Sequence, residues 1–93
     1  MSSQNSALVQ ETDMDDSLKK EALKIVQETF KKYEGIATRT KVIEDELEKL
    51  TQEPFHVFLS SGGGDFTYNY EKGTNIVIKY EDYTIIIFRN SDY

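Results

Sequence analysis

The chain has 93 residues, a length that accommodates one small domain. A hydrophobic fraction of 38% supplies a core, but 30% charged residues leave so little apolar surplus that we expect a partner chain to help bury it. The absence of cysteine excludes disulfides and thiolate metal sites, and the net charge of -6 argues against nucleic acid as a ligand, because the phosphate backbone has the same sign.

Residues 1–6 are expected to form a flexible tail ahead of a single domain over residues 7–93. The first residues carry neither a basic start nor an apolar run, so they do not resemble a secretory signal. The longest apolar stretches, such as Ile85 to Phe88, fall far short of the roughly 20 residues of a membrane span. A soluble protein with no membrane partner is expected. Ala7 to Gln10 is a weaker candidate for a short strand at the margin of a sheet.

Two helices are predicted in the first half. The first begins at Asp15 to Ser17, where Asp13, Asp15 and Asp16 can cap exposed N–H groups, and it ends at Gly35 in the left-handed conformation. The second runs from Ala37 to Thr51. Its narrow apolar stripe is predicted to consist of Ile36, Thr40, Ile43, Leu47 and Leu50, while the charged residues from Glu44 to Lys49 form a solvated face.

Beyond Pro54 the hydrophobic period changes to two, which predicts four strands. Phe55 to Leu59 is apolar on both faces and is therefore predicted to be a central strand. The other strands are predicted at Asp65 to Glu71, after a flexible Ser60 to Gly64 connector, and at Asn75 to Tyr80 and Tyr83 to Asn90, which form a hairpin at Glu81-Asp82.

The segment from Phe66 to Tyr70 has high strand propensity, carries no charge and follows three glycines. Such a strand at a sheet edge presents unpaired N–H and C=O groups that can recruit another chain by strand addition. The alternative is an ordinary strand covered by its own molecule. The residues alone leave both possibilities open.

Several short motifs follow one another in the order of a known family. They are Asp13-Met14, Lys31-Lys32-Tyr33, Phe55-His56-Val57, Thr67 to Glu71, and Tyr83 to Arg89. Over about Ala7 to Asn90 the chain resembles the dynein light chains of type 1. The resemblance implies an α+β fold in which two N-terminal helices pack on an antiparallel β-sheet, in a strand-exchanged dimer without enzymatic chemistry or cofactor.

The resemblance also implies where partners bind. Target peptides would add beside a crossing strand formed by Gly64, Asp65, Phe66, Thr67, Tyr68, Asn69 and Tyr70. The groove would be completed by Val77, Lys79, Thr84 and Ile86, with Lys79 favouring an acidic or carbonyl-rich target. Ile36 and Ala37 stand where the family has an acid and a lysine that hold a glutamine of the peptide, so a changed peptide preference is expected.

The alignment leaves the register of the crossing strand open. One insertion falls either in the glycine stretch or after Tyr70, and the second choice turns every side chain of the strand to the other face. The dimer interface is expected to include Phe55, His56, Phe66 and Tyr68. Because two imidazolium charges near the seam would repel each other, acidification is expected to weaken the dimer.

No catalytic residue or metal ligand is predicted. His56 is the only histidine, the acids from Glu44 to Glu48 lack the spacing of a calcium loop, and the Ser60 to Asp65 segment lacks the lysine of a P-loop. Two hypotheses remain. One is a dynein light chain, homodimeric or paired with a related light chain, that binds dynein intermediate or heavy chain segments at the cytoskeleton of the cytoplasm or a ciliary axoneme. The other is a general adaptor for disordered proteins outside the motor.

Overall fold

The computed structural model of the chain describes residues 7–62 and 67–90. Strand β1 precedes two helices, and three further strands follow them. The elements are β1 (Leu8–Thr12), α1 (Asp16–Lys32), α2 (Ile36–Thr51), β2 (His56–Ser61), β3 (Ile76–Tyr80) and β4 (Tyr83–Phe88). Both helices and the antiparallel sheet agree with the predicted α+β class; the tail predicted at residues 1–6 lies outside the described residues.

Helix α1 begins where the capping aspartate predicts. The Asp15 side chain accepts the N–H of Leu18 at 2.8 Å, while the helix ends at Lys32 because Tyr33 turns to an extended conformation. Gly35 has a φ of +88°, but it stands at the N-cap of α2 and does not end α1, so its predicted role was wrong. The positive φ of Gly35 forms the turn between the two helices.

Arg39 closes that turn from the second helix. Its Nε donates to the carbonyl of Tyr33 at 2.8 Å, and an Nη donates to the carbonyl of Phe30 at 3.3 Å. The guanidinium also lies 4.1 Å from the centre of the Phe30 ring. One side chain therefore satisfies carbonyls that the end of α1 leaves without helical partners.

The apolar stripe of α2 is buried only in its middle. Ile43 and Leu47 are fully buried, whereas Ile36 and Leu50 are 49% and 48% exposed. The predicted stripe therefore contributes to the core through Ile43 and Leu47, while its two ends lie at the surface.

The strand order is β1-β3-β4-β2, and every neighbouring pair is antiparallel. The hairpin of β3 and β4 forms the centre, with Tyr80 opposite Tyr83 across the two-residue turn predicted there. The weak N-terminal candidate is confirmed as an edge strand. β2 was predicted to be central, but within the described residues it is the other edge, since the hairpin occupies the middle of the sheet.

Within residues 67–90 and the described part of the chain before them, a fourth strand after the helices is not formed. Asp65 and Phe66 lie outside the described residues, and Thr67 to Tyr70 belong to no strand in this chain. The predicted strand from Asp65 to Glu71 was therefore wrong in its described part. A strand needs a neighbour to supply its hydrogen bonds, and the described part of the chain places none beside this segment.

Helices and sheet enclose one core. Alternate residues of the strands face the helices, and the burial of β3 shows this period directly, since Ile76, Ile78 and Tyr80 are buried while the residues between them are half-buried. The core includes Ala22, Val26 and Phe30 of α1, Ile43 and Leu47 of α2, and Val57, Ile76, Ile78, Tyr80, Ile85 and Ile87 of the strands, together with Met14 and Phe55.

Candidate partner-binding surface

The side of the sheet that faces away from the helices, called the outer face below, carries most of the predicted groove. It is formed by His56, Phe58, Val77, Lys79, Thr84, Ile86 and Phe88. Val77 stands opposite Ile86, and Lys79 stands opposite Thr84. The structure thus brings together the four groove residues that the sequence places on β3 and β4, as the two-residue period requires.

An aromatic cluster covers one end of the outer face. The Tyr68 ring stacks on Phe88 with a centroid distance of 4.6 Å, and His56 and Phe58 lie 5.6 and 5.9 Å from the same Phe88 ring. Tyr70 lies 5.6 Å from Tyr68. Phe88 is only 4% exposed, whereas Phe58 remains 55% exposed. The segment before β3 therefore covers part of this face and leaves Phe58 uncovered.

A hydrogen bond fixes the ring of Tyr68. Its hydroxyl donates to Oδ1 of Asn75 at 2.5 Å, and Asn75 is 1% exposed. Burial raises the pKa of Tyr68 above its ordinary value of 10.0, and the nearby charge of Glu11 adds to the effect. Stack and hydrogen bond together hold Thr67 to Tyr70 against the outer face although these residues form no strand.

The turn after this segment is fixed by Asp13. Oδ1 of Asp13 accepts the N–H of Asn75 at 2.9 Å, Oδ2 accepts the N–H of Gly73 at 2.8 Å, and the Asp13 N–H donates to the carbonyl of Asn75 at 3.1 Å. The sequence suggested that Asp13 helps to cap α1, which was wrong. Its partners lie about 60 residues away in sequence, so no local pattern could reveal them.

Arg89 holds the segment from the end of β4. The Glu71 N–H donates to the carbonyl of Arg89 at 2.9 Å, and the Arg89 guanidinium forms ion pairs with Glu71, at 3.2 Å, and with Glu53. The Arg89 N–H also donates to the Thr74 hydroxyl at 3.2 Å. These contacts fix the point where the chain returns from the predicted crossing strand to its own sheet.

The outer edge of β2 has no neighbouring strand among the described residues. Its first outward N–H, that of Val57, donates to Oε2 of Glu44 at 3.2 Å. The prediction that Glu44 is purely solvated was therefore wrong. Because N–H directions alternate along an antiparallel strand, Leu59 and Ser61 also point outward, and the described residues offer them no strand partner. This edge can accept a strand from another chain.

The connector leaves β2 in a fixed direction. The Gly62 N–H donates to the carbonyl of Asp82 at 2.7 Å, and the Thr84 hydroxyl donates to the carbonyl of Gly62 at 3.1 Å. Gly62 has a φ of +85°, a conformation that favours glycine. The chain is thus tied to the β3–β4 turn up to the residue at which the predicted crossing strand departs.

Other predicted site residues lie elsewhere. Phe55 is buried in the chain's own core and His56 is exposed on β2, and their roles at a dimer seam stay predictions. Ile36 and Ala37 are exposed at the start of α2, off the outer face. Gly64, Asp65 and Phe66 lie outside the described residues, so the register of the crossing strand remains a prediction too.

The described residues contain no group of three or more His, Asp or Glu side chains able to hold a metal ion. A cavity of about 120 Å³ lies between the helices, where its lining includes Ile25, Val42 and the Glu28 and Glu46 side chains. No described helix is long and apolar enough to cross a membrane.

Comparison with known protein families gives one match. The sequence profile of the family described as dynein light chain type 1 matches residues 6–90. The chain belongs to this family. The resemblance predicted from the motifs is thereby confirmed, and membership in the dynein light chain family supports a dynein light chain-like role. A search of curated proteins found no match.

Solved structures show the same fold. The chain is similar to the dynein light chain-like domain of the Fasciola hepatica calcium binding protein FhCaBP2, in both a mercury derivative and a native crystal. Each is 11% identical with a TM-score of 0.78; the first match covers 94% of both chains and the second 91%. This likeness shows the dynein light chain-like architecture and nothing about ligands.

Proposed function

We propose that the chain is a non-catalytic dynein light chain that dimerises by strand exchange and binds extended segments of dynein intermediate or heavy chains. Binding by β-strand addition would support assembly of the motor complex at the cytoskeleton. One observation carries the proposal: within the described residues β2 ends the sheet with an edge that has no strand partner, and Tyr68 and Tyr70, which follow it along the chain, belong to no strand.

The lengths of the two segments suit an exchange. β2 has six residues, and the seven residues of the predicted crossing strand, Gly64 to Tyr70, would span roughly 23 Å when extended at about 3.3 Å per residue. That span covers the whole edge of a partner's β2. The exchanged strand would satisfy the outward groups of Leu59 and Ser61 and would help to bury Phe58, which is 55% exposed in the single chain.

The exchanged strand would in turn have an outer edge of its own, and a target segment can add there through main-chain hydrogen bonds. A symmetric dimer presents two such edges. When two copies of a target bind one dimer, the second binding step is intramolecular, so a modest affinity at each groove is sufficient. This mechanism needs only extended partners and no chemistry from the chain.

The experiment compares Phe58→Asp with Leu50→Asp. Both residues are apolar and about half exposed, but Phe58 lies on the outer face and Leu50 near the end of α2, in a pocket shared with residues of α1. In sedimentation velocity we expect the wild type and Leu50→Asp to be dimers, and Phe58→Asp to dimerise at least tenfold more weakly, because a buried unpaired carboxylate is strongly disfavoured. A wild type that stays monomeric at all concentrations, or equal effects of both variants, would contradict the exchange.

Pull-down from cell extract tests the partner class. We expect the wild type to recover dynein intermediate or heavy chains as its main partners, and the Phe58→Asp variant, whose dimer is weakened, to recover much less of them. Heavy chains of the ciliary type would assign the chain to an axonemal motor. Recovery of unrelated disordered proteins in place of dynein chains would overturn the motor assignment and support the general adaptor.

A further inference from the structure

Lys79 occupies an unusual place on the outer face. It lies on β3, between Leu8 of β1 and Thr84 of β4, and it is half-buried. Its neighbours along the strand, Ile78 and Tyr80, face the core. The ammonium-bearing side chain therefore stands on the opposite side of the sheet, within a central strand.

The usual reason for lysine in a sheet does not apply here. Lysine is depleted in strands, and where it occurs it often guards an exposed edge against pairing. β3 has a neighbour on both sides, so it has no edge to guard. Lys79 is surrounded on its face by Leu8, Val77 and Thr84, none of which is charged.

No acid within the described residues pairs with Lys79. The nearest acid by register on the same face is Glu11, which stands opposite Val77, but the two charges form no ion pair. By contrast, Lys19, Lys41 and Lys49 each have an acid within 4 Å on their own helices. The described outer face therefore carries one half-buried lysine whose charge has no anionic partner among the described residues.

We propose that Lys79 selects an aspartate or glutamate at one position of the extended segment that binds this face. The inference rests on the proposed strand addition and adds a requirement on the sequence of the partner. A bound segment would remove water from the Lys79 ammonium, and a carboxylate in register compensates that loss, whereas an apolar side chain would leave the charge unpaired.

The proposed preference for an acid is a local effect of Lys79 and does not follow from the electrostatic field of the whole chain. The chain has a net charge of -6, which disfavours an acidic partner at long range. If binding nevertheless requires an acid in the partner segment, that acid must lie against a specific positive group of the protein. Because the pair would remain partly exposed, we expect a modest gain, about fivefold in affinity for the acid over its amide.

The experiment selects binders from a displayed library of random ten-residue peptides. The baits are the wild-type protein, Lys79→Glu, and Lys24→Glu as the control that changes charge equally on the exposed surface of α1. We expect Asp or Glu to be enriched at one position on the wild type and on Lys24→Glu, and Lys or Arg at that position on Lys79→Glu. When the acid of a selected peptide is changed to the corresponding amide, we expect the peptide to bind the wild type about fivefold more weakly. The same change in the peptide should leave its affinity for Lys79→Gln unaltered.

Two failures are distinguishable. If no bait selects any peptide, strand addition itself is overturned, and the role of Lys79 falls with it. If peptides are selected but no position depends on residue 79, the proposed function stands and only the role of Lys79 is overturned; the lysine then merely keeps an open sheet face hydrated.

Discussion

The two faces of the sheet are built from the same four strands but serve different ends. The inner face is closed by both helices, and its isoleucines are completely buried. The outer face is covered only in part, by a segment that Tyr68 holds through one stack and one hydrogen bond. The inner face accounts for the stability of the single chain, and the outer face is where the chain can meet others.

The sharpest test of this contrast uses two neighbours. Ile85 and Ile86 are 0% and 3% exposed, but Ile85 faces the core and Ile86 faces outward. We expect Ile85→Ala to lower the free energy of unfolding by about 3 to 4 kcal/mol, and Ile86→Ala by about 2 kcal/mol, because Ile86 is not enclosed by the helices and its neighbours on the outer face can close around the missing atoms. Denaturant unfolding at low protein concentration measures both. Equal losses would show that the outer face is as rigidly packed as the core.

Asp13 provides the next largest effect. Asp13→Ala removes the acceptor of the Asn75 and Gly73 N–H groups, and we expect about 2 kcal/mol of lost stability, since the N–H of a buried residue is left unpaired. Asp16→Ala is the control, because its contact with Lys19 is exposed. The same unfolding experiment separates them. A loss no greater than that of the control would contradict the role of Asp13 in fixing the turn.

Tyr68→Phe should have the smallest effect at neutral pH, about 1 kcal/mol, because it keeps the ring on Phe88 and removes only the hydrogen bond to Asn75. Amide hydrogen exchange should show faster exchange in residues 67–71 of the variant. Unchanged exchange there would indicate that the hydroxyl does not hold the segment.

The same tyrosine predicts an alkaline limit. Burial raises the pKa of Tyr68 above 10.0 in the folded chain, so folding favours the protonated hydroxyl. The contribution of the protonated Tyr68 hydroxyl to stability is complete below pH 10 and is lost as the pH rises through the pKa of Tyr68 in the folded chain. Burial likewise raises the pKa of Tyr80, so Tyr68→Phe should reduce the alkaline loss of stability without abolishing it. A variant that loses stability at high pH as steeply as the wild type would contradict this assignment.

Local patterns predicted the elements well where a short stretch of chain decides them. The Asp15 cap, the alternation from Ile76 to Tyr80 and the turn at Glu81-Asp82 act over a few residues, and the structure has each of them. Collinear motifs also identified the family. The strand order could not be predicted as well from the sequence. The apolar residues on both faces of β2 predicted a central strand, but β2 lies at an edge of the described sheet. The same pattern suits an edge that a second chain would cover.

The sequence by itself determined the two helices, the hairpin and the unusual composition of the Thr67 to Tyr70 segment, because propensity, capping and period act between near neighbours in the chain. Only the tertiary structure decided that Asp13 holds the turn at Gly73 and Asn75, that Glu44 reaches the edge of β2, and that Lys79 stands without an ion-pair partner among the described residues. Each of these depends on which distant residues the fold brings within a few ångströms, and no spacing along the chain encodes that distance.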